Sequence, residues 1–432
     1  MEPGFFPLDE ELALLPGSLT PLAHEKLVHL GTWIPSFEKA AGVLANLTGV
    51  QVSEATLRRQ TEKAGGSYVA VQDGAVKRMK AEPGEEPEGA EKLFLSADGA
   101  MVPLIGGEWA EVKTLVVGEV QAPVERKGEK VVEVTNLSYF SRLAEAETFR
   151  EAALVETQRR GVATAGQVAA VTDGAEWLQR FVDYHRPDAV RILDFPHAAE
   201  YVNQIGQALY GEGAPNLPEW LQRQLHELKH SGPRGILETL QALIEADPLH
   251  AEACGKPLEY LKKRQAHMQY PTYQADGWPI GDGATESANK LVVEARLKGS
   301  GMHWEREHVN PMLALRNVVC NNRWDEAWPQ MTGELRQMSW QCRQARWKAH
   351  ADSPPNLATP IPAEQVADSV VTNPAPPPPD TVASQPSQVP EPQPAANSLP
   401  APRRPAANHP WRHSPIGKAR YQPVEPSTPP KL

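Results

Sequence analysis

Apolar and polar residues alternate with a period of two in the second quarter of the chain, and this pattern predicts strands. The predicted strands are residues 91–104 (EKLFLSADGAMVPL), 109–120 (WAEVKTLVVGEV) and 129–140 (EKVVEVTNLSYF). Short connections separate them, with two glycines at 106 and 107 and a turn-forming segment at 124–128. Because short connections join antiparallel neighbours, these stretches predict a three-stranded meander.

The pattern then switches between the helical period and the strand period. It predicts a helix over 141–160, a strand over 167–172, a helix over 175–184 and a last strand over 189–193. The resulting order, βββαβαβ, predicts an α/β fold with a mixed sheet. Crossover connections in such a sheet make the later strands parallel neighbours.

Helical periodicity dominates the remainder of the folded chain. Residues 36–66 predict two helices joined by a tight turn at Gly49, with Ser53 as the N-cap of the second helix. Residues 200–275 predict an all-helical block, in which no catalytic motif is recognised. An amphipathic helix is predicted within 281–304 (GDGATESANKLVVEARLKGSGMHW).

This last helix is expected to start near Thr285. Its predicted buried face consists of Ala288, Leu291, Val292 and Ala295. Glu286 lies in its first turn, and its opposite face is predicted to carry three cations, Lys290, Arg296 and Lys298. This pattern would suit an enzyme that acts on phosphodiesters, because the carboxylate could bind a divalent cation and the basic side chains could bind the DNA backbone. A surface helix whose charges follow its own dipole would have the same pattern.

The two predicted helices at 36–66 have the spacing of a helix-turn-helix. Arg58, Arg59 and Lys63 fall on the predicted exposed side of the second helix, where a recognition helix needs groups that reach phosphates and bases. Any αα-hairpin has a similar pattern, so spacing does not distinguish DNA binding from simple packing.

Composition divides the 432-residue chain further. About half of its 42 prolines lie after Asp352, in a segment with little apolar periodicity, which predicts a disordered tail. The net charge of −11 argues against a general affinity for nucleic acid, but acids are concentrated in a predicted linker near 81–90, and local patches decide phosphate contacts. Three widely spaced cysteines favour a reducing cytosol, and no stretch has the length of a membrane span or the pattern of a signal peptide.

These patterns predict five segments. They are an N-terminal helical domain (1–80), the first part of an α/β core (91–199), a helical insertion (200–275), the completion of the core (276–350) and a proline-rich tail (351–432).

Two aspartates in similar contexts are predicted to end strands: Asp98 ends the first strand in SADG, and Asp173 ends the fourth in VTDG. Ligands bind at the carboxyl ends of parallel strands, so both side chains are expected at one edge of the sheet. Asp-Gly is also a common turn dipeptide, which gives each aspartate a structural alternative.

Glu286 is the preferred third carboxylate. Glu294 lies two turns further along the same helix, and Asp282 precedes the helix in a glycine-rich loop.

With these acids in place, the chain resembles the DDE transposases of bacterial insertion sequences, and in particular those of the ISKra type. The matching motifs are SADGAMVPL, AVTDGAEW, ILDFPHAAEYV and TESANKLVVEARLKGSGMHW, in the expected order. The segment from Asp194 to His197 (DFPH) also looks like the (C/D)xxH element of Mutator and hAT relatives. The match does not extend to the acidic linker or the tail, where HPWRHSPIGKARYQ forms an aromatic and basic segment.

The resemblance implies a ribonuclease-H-like core with a helical insertion before the glutamate. It further implies that Asp98, Asp173 and Glu286 bind two Mg²⁺ ions, for which Mn²⁺ substitutes, with Asp194 and His197 supporting them. DNA would be the partner, as transposon ends and target, bound by a homo-oligomer in the bacterial cytoplasm near the nucleoid. Two alternatives stay open: a nuclease of the same fold that cuts without joining, and a domesticated transposase that only binds DNA.

Overall fold

The computed structural model describes residues 19–82, 84–126, 129–247 and 249–351. The first 18 residues of the predicted N-terminal domain and the predicted tail after 351 lie outside the described residues. The N-terminal helices are α1 (Pro21–Trp33), α2 (Phe37–Thr48) and α3 (Glu54–Ala81). The predicted turn is confirmed, since Gly49 ends α2 in the left-handed conformation and the Ser53 side chain accepts a hydrogen bond from the Thr56 amide at the start of α3.

A five-stranded mixed sheet forms the centre of the described chain, in the order β5-β2-β1-β6-β7. Its strands are β1 (Lys92–Pro103), β2 (Trp109–Val120), β5 (Val134–Leu143), β6 (Gln167–Thr172) and β7 (Val190–Leu193). The strands β3 (Val124–Arg126) and β4 (Glu129–Val131) form a separate two-stranded hairpin. The pairs β1–β2 and β2–β5 are antiparallel, whereas β1–β6 and β6–β7 are parallel. The fold is therefore mixed α/β, as the periodicity predicts.

Helices occupy the connections and follow the last strand. Between β5 and β7 lie α4 (Ala146–Ala152), α5 (Leu154–Arg159) and α6 (Glu176–His185). The block after β7 comprises α7 (Phe195–Tyr210), α8 (Leu217–Ser231), α9 (Pro233–Ala246), α10 (Ala251–Lys263), a 3₁₀ turn (Gln265–His267) and α11 (Tyr270–Ala275). The last elements of the described residues are α12 (Gly283–Ala288), a π-helical segment (Asn289–Glu294), α13 (Ala295–Leu297), α14 (Arg306–Cys320) and α15 (Trp324–Ala351). No helix of these described residues is both long enough and apolar enough to cross a membrane.

The two faces of the sheet pack against different helices. Leu93, Leu95 and Ala97 of β1 join one apolar cluster with residues of α4 and α6, while Phe94 joins a cluster with the helices that follow β7. Further along the Phe94 face, Ala100 and Val102 pack in a third cluster. This alternation follows from the period of two along a strand.

The third cluster joins the N-terminal and C-terminal helices into one core. It contains Leu27, Leu44 and Leu57 from α1, α2 and α3, together with residues of β1, β2, α14 and α15. The approach is close, because a Cβ added at Gly65 of α3 would lie 2.1 Å from the carbonyl oxygen of Pro311 in α14. The segment predicted as a separate N-terminal domain thus shares its core with the sheet and the last helices.

Two predicted boundaries around β5 and β1 are wrong. The segment predicted as one strand over 129–140 splits into β4 and β5, and β5 continues to Leu143 where a helix was predicted from Ser141. Asp98 does not end β1: the strand continues to Pro103, because β1 and β2 pair along their whole length and Asp98 lies opposite Thr114. Cross-strand pairing thus overrides the turn preference of Asp-Gly.

The open edge of β5 is covered by three asparagines. Each side chain accepts a hydrogen bond from one backbone amide of β5 and donates one to the carbonyl of the same residue: Asn310 to Leu143 (2.7 and 3.0 Å), Asn317 to Ser141 (2.9 and 3.1 Å) and Asn321 to Tyr139 (2.9 and 2.8 Å). The alternate residues of an edge strand direct their unpaired groups outward, and spacings of seven and four put the asparagines on one helical face. The asparagines therefore replace a sixth strand.

We expect Asn317→Ala to lower the free energy of unfolding by about 2–4 kcal/mol, because it leaves a buried amide and a buried carbonyl of Ser141 without partners. Denaturant unfolding of the full-length protein measures this value. Asn216→Ala is the matched control, since Asn216 is exposed and its side chain makes no capping hydrogen bond. Equal stabilities of the two variants would contradict a stabilising role for Asn317.

Candidate functional site

The parallel strands bring three aspartates to equivalent positions on one face of the sheet. Leu95 of β1 pairs with Ala170 of β6, and Thr172 of β6 pairs with Leu193 of β7. When this register is continued, Asp98 falls opposite Asp173, and Asp173 falls opposite Asp194. All three share the strand face of Phe94, Val171 and Ile192, which packs against the helices that follow β7. The predicted meeting of Asp98 and Asp173 at the sheet thus has a basis in strand register.

Asp98 is half-buried and in contact with the helical segment that follows Glu286. The Nδ2 atom of Asn289 donates a hydrogen bond of 3.2 Å to Asp98 Oδ2. Burial raises the pKa of Asp98 above its usual value, and the neighbouring charges of Asp173 and Glu111 raise it further. Burial and the neighbouring carboxylates thus both favour the protonated form of Asp98.

A fourth acid, Asp282, lies beside Asp194. The Asp194 side chain caps α7 by accepting from the His197 amide (2.9 Å), and its other oxygen accepts from the Asp282 amide (2.9 Å). Burial raises the pKa of Asp282 to about 8, with additional repulsion from Asp194, Asp98 and Asp173. Asp194 therefore connects the start of α7 to the glycine-rich loop before α12, and Asp282 belongs to the same group of acids.

Glu286, the predicted third carboxylate, is exposed and pairs with a lysine of its own helical segment. It sits in α12 with a side chain 70% exposed, and its Oε1 is 2.5 Å from Lys290 Nζ. Asn289, one turn later, points inward and is 7% exposed. Among the described residues, no group of three or more His, Cys, Asp or Glu side chains is positioned to hold a metal ion. Asp282, the rival of Glu286 in the sequence, has a pKa that the charges of Asp98 and Asp173 help to raise, after burial and the charge of Asp194.

The π-helical segment changes which residues after Glu286 are buried. Its wider turn shifts the helical period, so that Val292, Val293 and Leu297 are buried and Leu291 is 41% exposed. Arg316 of α14 stabilises this widened turn by donating hydrogen bonds to the carbonyls of Leu291 and Val292. The predicted start of the helix also changes, because Asp282 occupies the N-cap position and Thr285 is fully buried.

The predicted exposure of Arg296 is wrong for the same reason. Arg296 is 1% exposed and donates two hydrogen bonds, of 3.1 and 3.0 Å, to the Gly31 carbonyl at the end of α1. Its guanidinium lies 4.5 Å from the ring centroid of Phe37. Arg296 therefore joins the helix of Glu286 to the N-terminal helices, and it cannot contact a DNA phosphate in this conformation.

The helices that follow β7 contribute a layer of contacts that the sequence did not reveal. The Tyr260 hydroxyl of α10 donates a hydrogen bond to the Asp173 carbonyl, and Arg264 donates two, of 3.0 and 2.7 Å, to the Gly174 carbonyl. The guanidinium of Arg264 lies 3.6 Å from the Tyr260 ring centroid, and Tyr260 stacks on Tyr201 of α7. These residues fix the turn that carries Asp173. The sequence signal for these contacts is a tyrosine and an arginine four residues apart, Tyr260 near the end of α10 and Arg264 directly after it.

His197 lies at the edge of this layer. Its ring centroid is 5.5 Å from that of Tyr201 and 6.1 Å from that of Tyr260, and its charged form would lower the pKa of Asp98 and of Asp194. The nearest carboxylate oxygen to its Nδ1 is that of Glu200, at 3.8 Å. The ring is thus close enough to influence the acids electrostatically, and only its backbone amide bonds to Asp194.

The remaining predicted cations are at the surface. Arg58, Arg59 and Lys63 lie on the exposed side of α3, as predicted. Lys290 is exposed, and Lys298 pairs with Glu294 at 2.9 Å in the same way that Lys290 pairs with Glu286. These five cations are accessible to a polyanion.

Comparison with protein-family models matches residues 5–326, well over half of the chain, to a family described as "Uncharacterised protein family (UPF0236)". A search of the curated proteins finds no match.

Proposed function

We propose that this chain, which belongs to the uncharacterised protein family UPF0236, is a DDE transposase that cuts DNA at the ends of an insertion sequence and joins the cut strands to target DNA. One observation carries the proposal. The continued register of three parallel strands aligns Asp98, Asp173 and Asp194 on one face of the sheet. Asp173 and Asp194 directly follow the carboxyl ends of β6 and β7, the position where α/β sheets bind ligands, and Asp98 lies within the neighbouring strand β1.

We also propose that the sheet is a ribonuclease-H-like core. The order β5-β2-β1-β6-β7, with three antiparallel strands followed by two parallel ones, supports this proposal. So does the placement of the helices 195–275 between the last strand and the segment that carries Glu286. This is the arrangement that the resemblance to DDE transposases implies.

The donor chemistry of the site fits Mg²⁺. The side chains grouped around Asp98 offer carboxylate and amide oxygens, which are the ligands that Mg²⁺ and Mn²⁺ prefer. We propose that Asp98, Asp173 and Glu286 hold two such ions. Bound there, the ions would activate the attacking oxygen and neutralise charge on the phosphodiester. Because the described acids are not grouped to hold an ion, the carboxylates must approach one another when the ions bind.

The residues of the chain position these carboxylates and the DNA. Asn289 orients Asp98 through its hydrogen bond, and Tyr260 and Arg264 hold the turn of Asp173. Asp194 ties the loop before α12 to the start of α7. The His197 ring lies beside the Tyr201 and Tyr260 rings, at the edge of the same layer.

Binding of the DNA is assigned to the exposed cations. Lys290 and Lys298 would contact the backbone near the site, while Arg58, Arg59 and Lys63 of α3 would bind the transposon ends. A homo-oligomer that holds two ends is part of the proposal.

The direct test is to incubate the full-length protein with DNA that flanks its own gene, in Mg²⁺ or Mn²⁺, and to map new 3′ ends and joined products by sequencing. We expect ends at fixed positions on both sides of the gene, together with junctions to target DNA. Cut but unjoined ends would favour the nuclease. Sequence-specific binding without any new 3′ ends in either metal would favour the DNA-binding regulator and contradict the transposase.

A further inference from the structure

The helix that carries Glu286 is interrupted by a wider turn. The π-helical segment, Asn289–Glu294, lies directly between α12 and α13. Hydrogen bonds in a π-helix span five residues where those of an α-helix span four, so the π turn holds one extra residue. One residue corresponds to about 100° of rotation around an α-helix. The residues before the segment are therefore turned by about this angle relative to an uninterrupted helix.

This extra residue decides whether Thr285 or Glu286 faces the sheet. Val293 and Leu297 are fully buried, and Glu286 precedes them by seven and eleven residues. These steps are close to two and three α-helical turns, so an uninterrupted helix would place Glu286 on the buried face. With the extra residue, whole turns lead back to Thr285 instead. Thr285 is accordingly 0% exposed, whereas the Glu286 side chain is 70% exposed.

The observed register depends on a contact from another helix. It buries the Thr285 hydroxyl, whose Oγ1 has no hydrogen-bond partner among the described residues, at a cost of about 1–3 kcal/mol. Arg316 of α14 offsets this cost by donating to the carbonyls of Leu291 and Val292 in the wider turn. The Arg316 guanidinium also lies 4.7 Å from the ring centroid of Trp33. Arg316 is thus the residue that holds the π turn.

Only the first part of this helix is free to turn. After the π segment, Arg296 donates two hydrogen bonds, of 3.1 and 3.0 Å, to the Gly31 carbonyl, and Leu297 is buried. Before α12, the chain has glycines at 281 and 283, and a Cβ added at Gly283 would meet nothing within 4 Å. Glycine permits backbone rotation that other residues resist. A change of register would therefore move residues 283–288 and leave α13 in place.

We infer that the π turn is a register switch that delivers Glu286 to the sheet. When residues 289–294 become α-helical, residues 283–288 turn by about 100° and Glu286 replaces Thr285 on the inner face. That face is directed toward the acids, because Asn289, four residues after Thr285, donates a hydrogen bond to Asp98. The inference rests on the proposed function, in which Glu286 is catalytic, and adds the movement that brings it to the site. The exposed pair with Lys290 is then the resting state.

The first test uses the free full-length protein without metal or DNA. Alkylation by iodoacetamide is timed for Thr285→Cys and Glu286→Cys, and peptide mass spectrometry distinguishes the new thiol from the native cysteines. We expect the thiol at position 286 to react at least about tenfold faster than the one at 285, because thiol reactivity requires access. Adding Arg316→Met, which removes the hydrogen bonds to the wider turn, should lower this ratio by about tenfold or more.

The matched control is Arg142→Met, since Arg142 is also a buried arginine but its side chain bonds to Gln72 of α3 and not to the π turn. It should leave the ratio unchanged. An unchanged ratio in folded Arg316→Met protein overturns the inference.

The second test locks the register and applies equally if Arg316→Met unfolds. Deletion of Leu291 removes the extra residue, so the helix becomes α-helical throughout with Thr285 inside and Glu286 outside. We expect this variant to keep its melting temperature and to lose cleavage of DNA flanking its own gene in Mn²⁺ to the extent that Glu286→Gln does. Leu291→Ala removes the side chain but keeps the register, and it should cleave within a few-fold of the wild type.

The outcomes separate the inference from the proposed function. Wild-type cleavage by the deletion variant overturns the register switch and leaves the transposase proposal intact. Absence of cleavage by the wild type contradicts the transposase proposal, and the alkylation ratio then decides the register switch alone.

Discussion

Replacing Asp98 with asparagine is expected to lower DNA strand cleavage by about 1,000-fold or more without destabilising the protein. A metal ion contributes several kcal/mol to stabilising a phosphoryl-transfer transition state, and about 4 kcal/mol corresponds to this factor. Asp98→Asn keeps the shape of the side chain and an oxygen that can accept from Asn289. Cleavage of end-containing DNA in Mn²⁺ measures the effect, with Asp276→Asn as the control.

The stability of the same variant distinguishes a catalytic aspartate from a structural one. Burial and the charges of Asp173 and Glu111 raise the folded-state pKa of Asp98, so the ionised carboxyl favours the unfolded state. Wild-type stability should therefore rise as the pH falls through that pKa, whereas the amide that replaces the carboxyl in Asp98→Asn does not titrate. We expect the melting temperature of Asp98→Asn to equal or exceed that of the wild type at pH 7. This difference in melting temperature should disappear at acidic pH. A large fall in melting temperature with normal cleavage would indicate a structural residue.

Periodicity predicted the strands well because each buried strand is bounded by strong local signals. Four apolar residues, 168–171, are followed by Thr172 and the dipeptide Asp-Gly, and β6 ends at Thr172 as expected. The strand around Asp98 has the same dipeptide, but β1 continues, because its partner β2 supplies hydrogen bonds on both sides of Gly99. A turn preference of one dipeptide is weaker than a ladder of eleven pairs, and the sequence does not show which strand will be the partner.

The contacts that assemble the site depend on packing between distant segments, which the local pattern of apolar and polar residues does not predict. The π-helical turn after Glu286 exists because Arg316, on a later helix, bonds to the carbonyls that the wider turn releases. A strict 3.6-residue period therefore placed Arg296 outside and Leu291 inside, the reverse of their burial. Similarly, Tyr260 and Arg264 meet Asp173 and Gly174 across more than 80 residues of sequence.

Replacing Glu286 with glutamine is expected to abolish cleavage to a similar degree, and Glu294→Gln supplies a matched control. Both glutamates pair with a lysine four residues later, Glu286 with Lys290 at 2.5 Å and Glu294 with Lys298 at 2.9 Å. Pairs of this exposure contribute about 0–1 kcal/mol, so neither substitution should change stability appreciably. The two variants should differ in catalysis, because only Glu286 is proposed to be catalytic. We expect Glu294→Gln to cleave DNA within a few-fold of the wild-type rate.

A comparison of Glu286→Gln with Asp282→Asn in the same cleavage assay identifies which of the two residues is the third catalytic carboxylate. The charges of Asp98 and Asp173 contribute to the raised pKa of Asp282, whereas Glu286 is 70% exposed and would have to turn toward them. Because Glu286 lies three residues before the buried Asn289, a rotation of its side chain away from Lys290 brings it toward the face that contacts Asp98. Loss of cleavage in Glu286→Gln requires that reorientation, driven by metal or DNA. Normal cleavage by Glu286→Gln with loss in Asp282→Asn would instead assign the third carboxylate to Asp282, and the exposed glutamate would then be only a partner of Lys290.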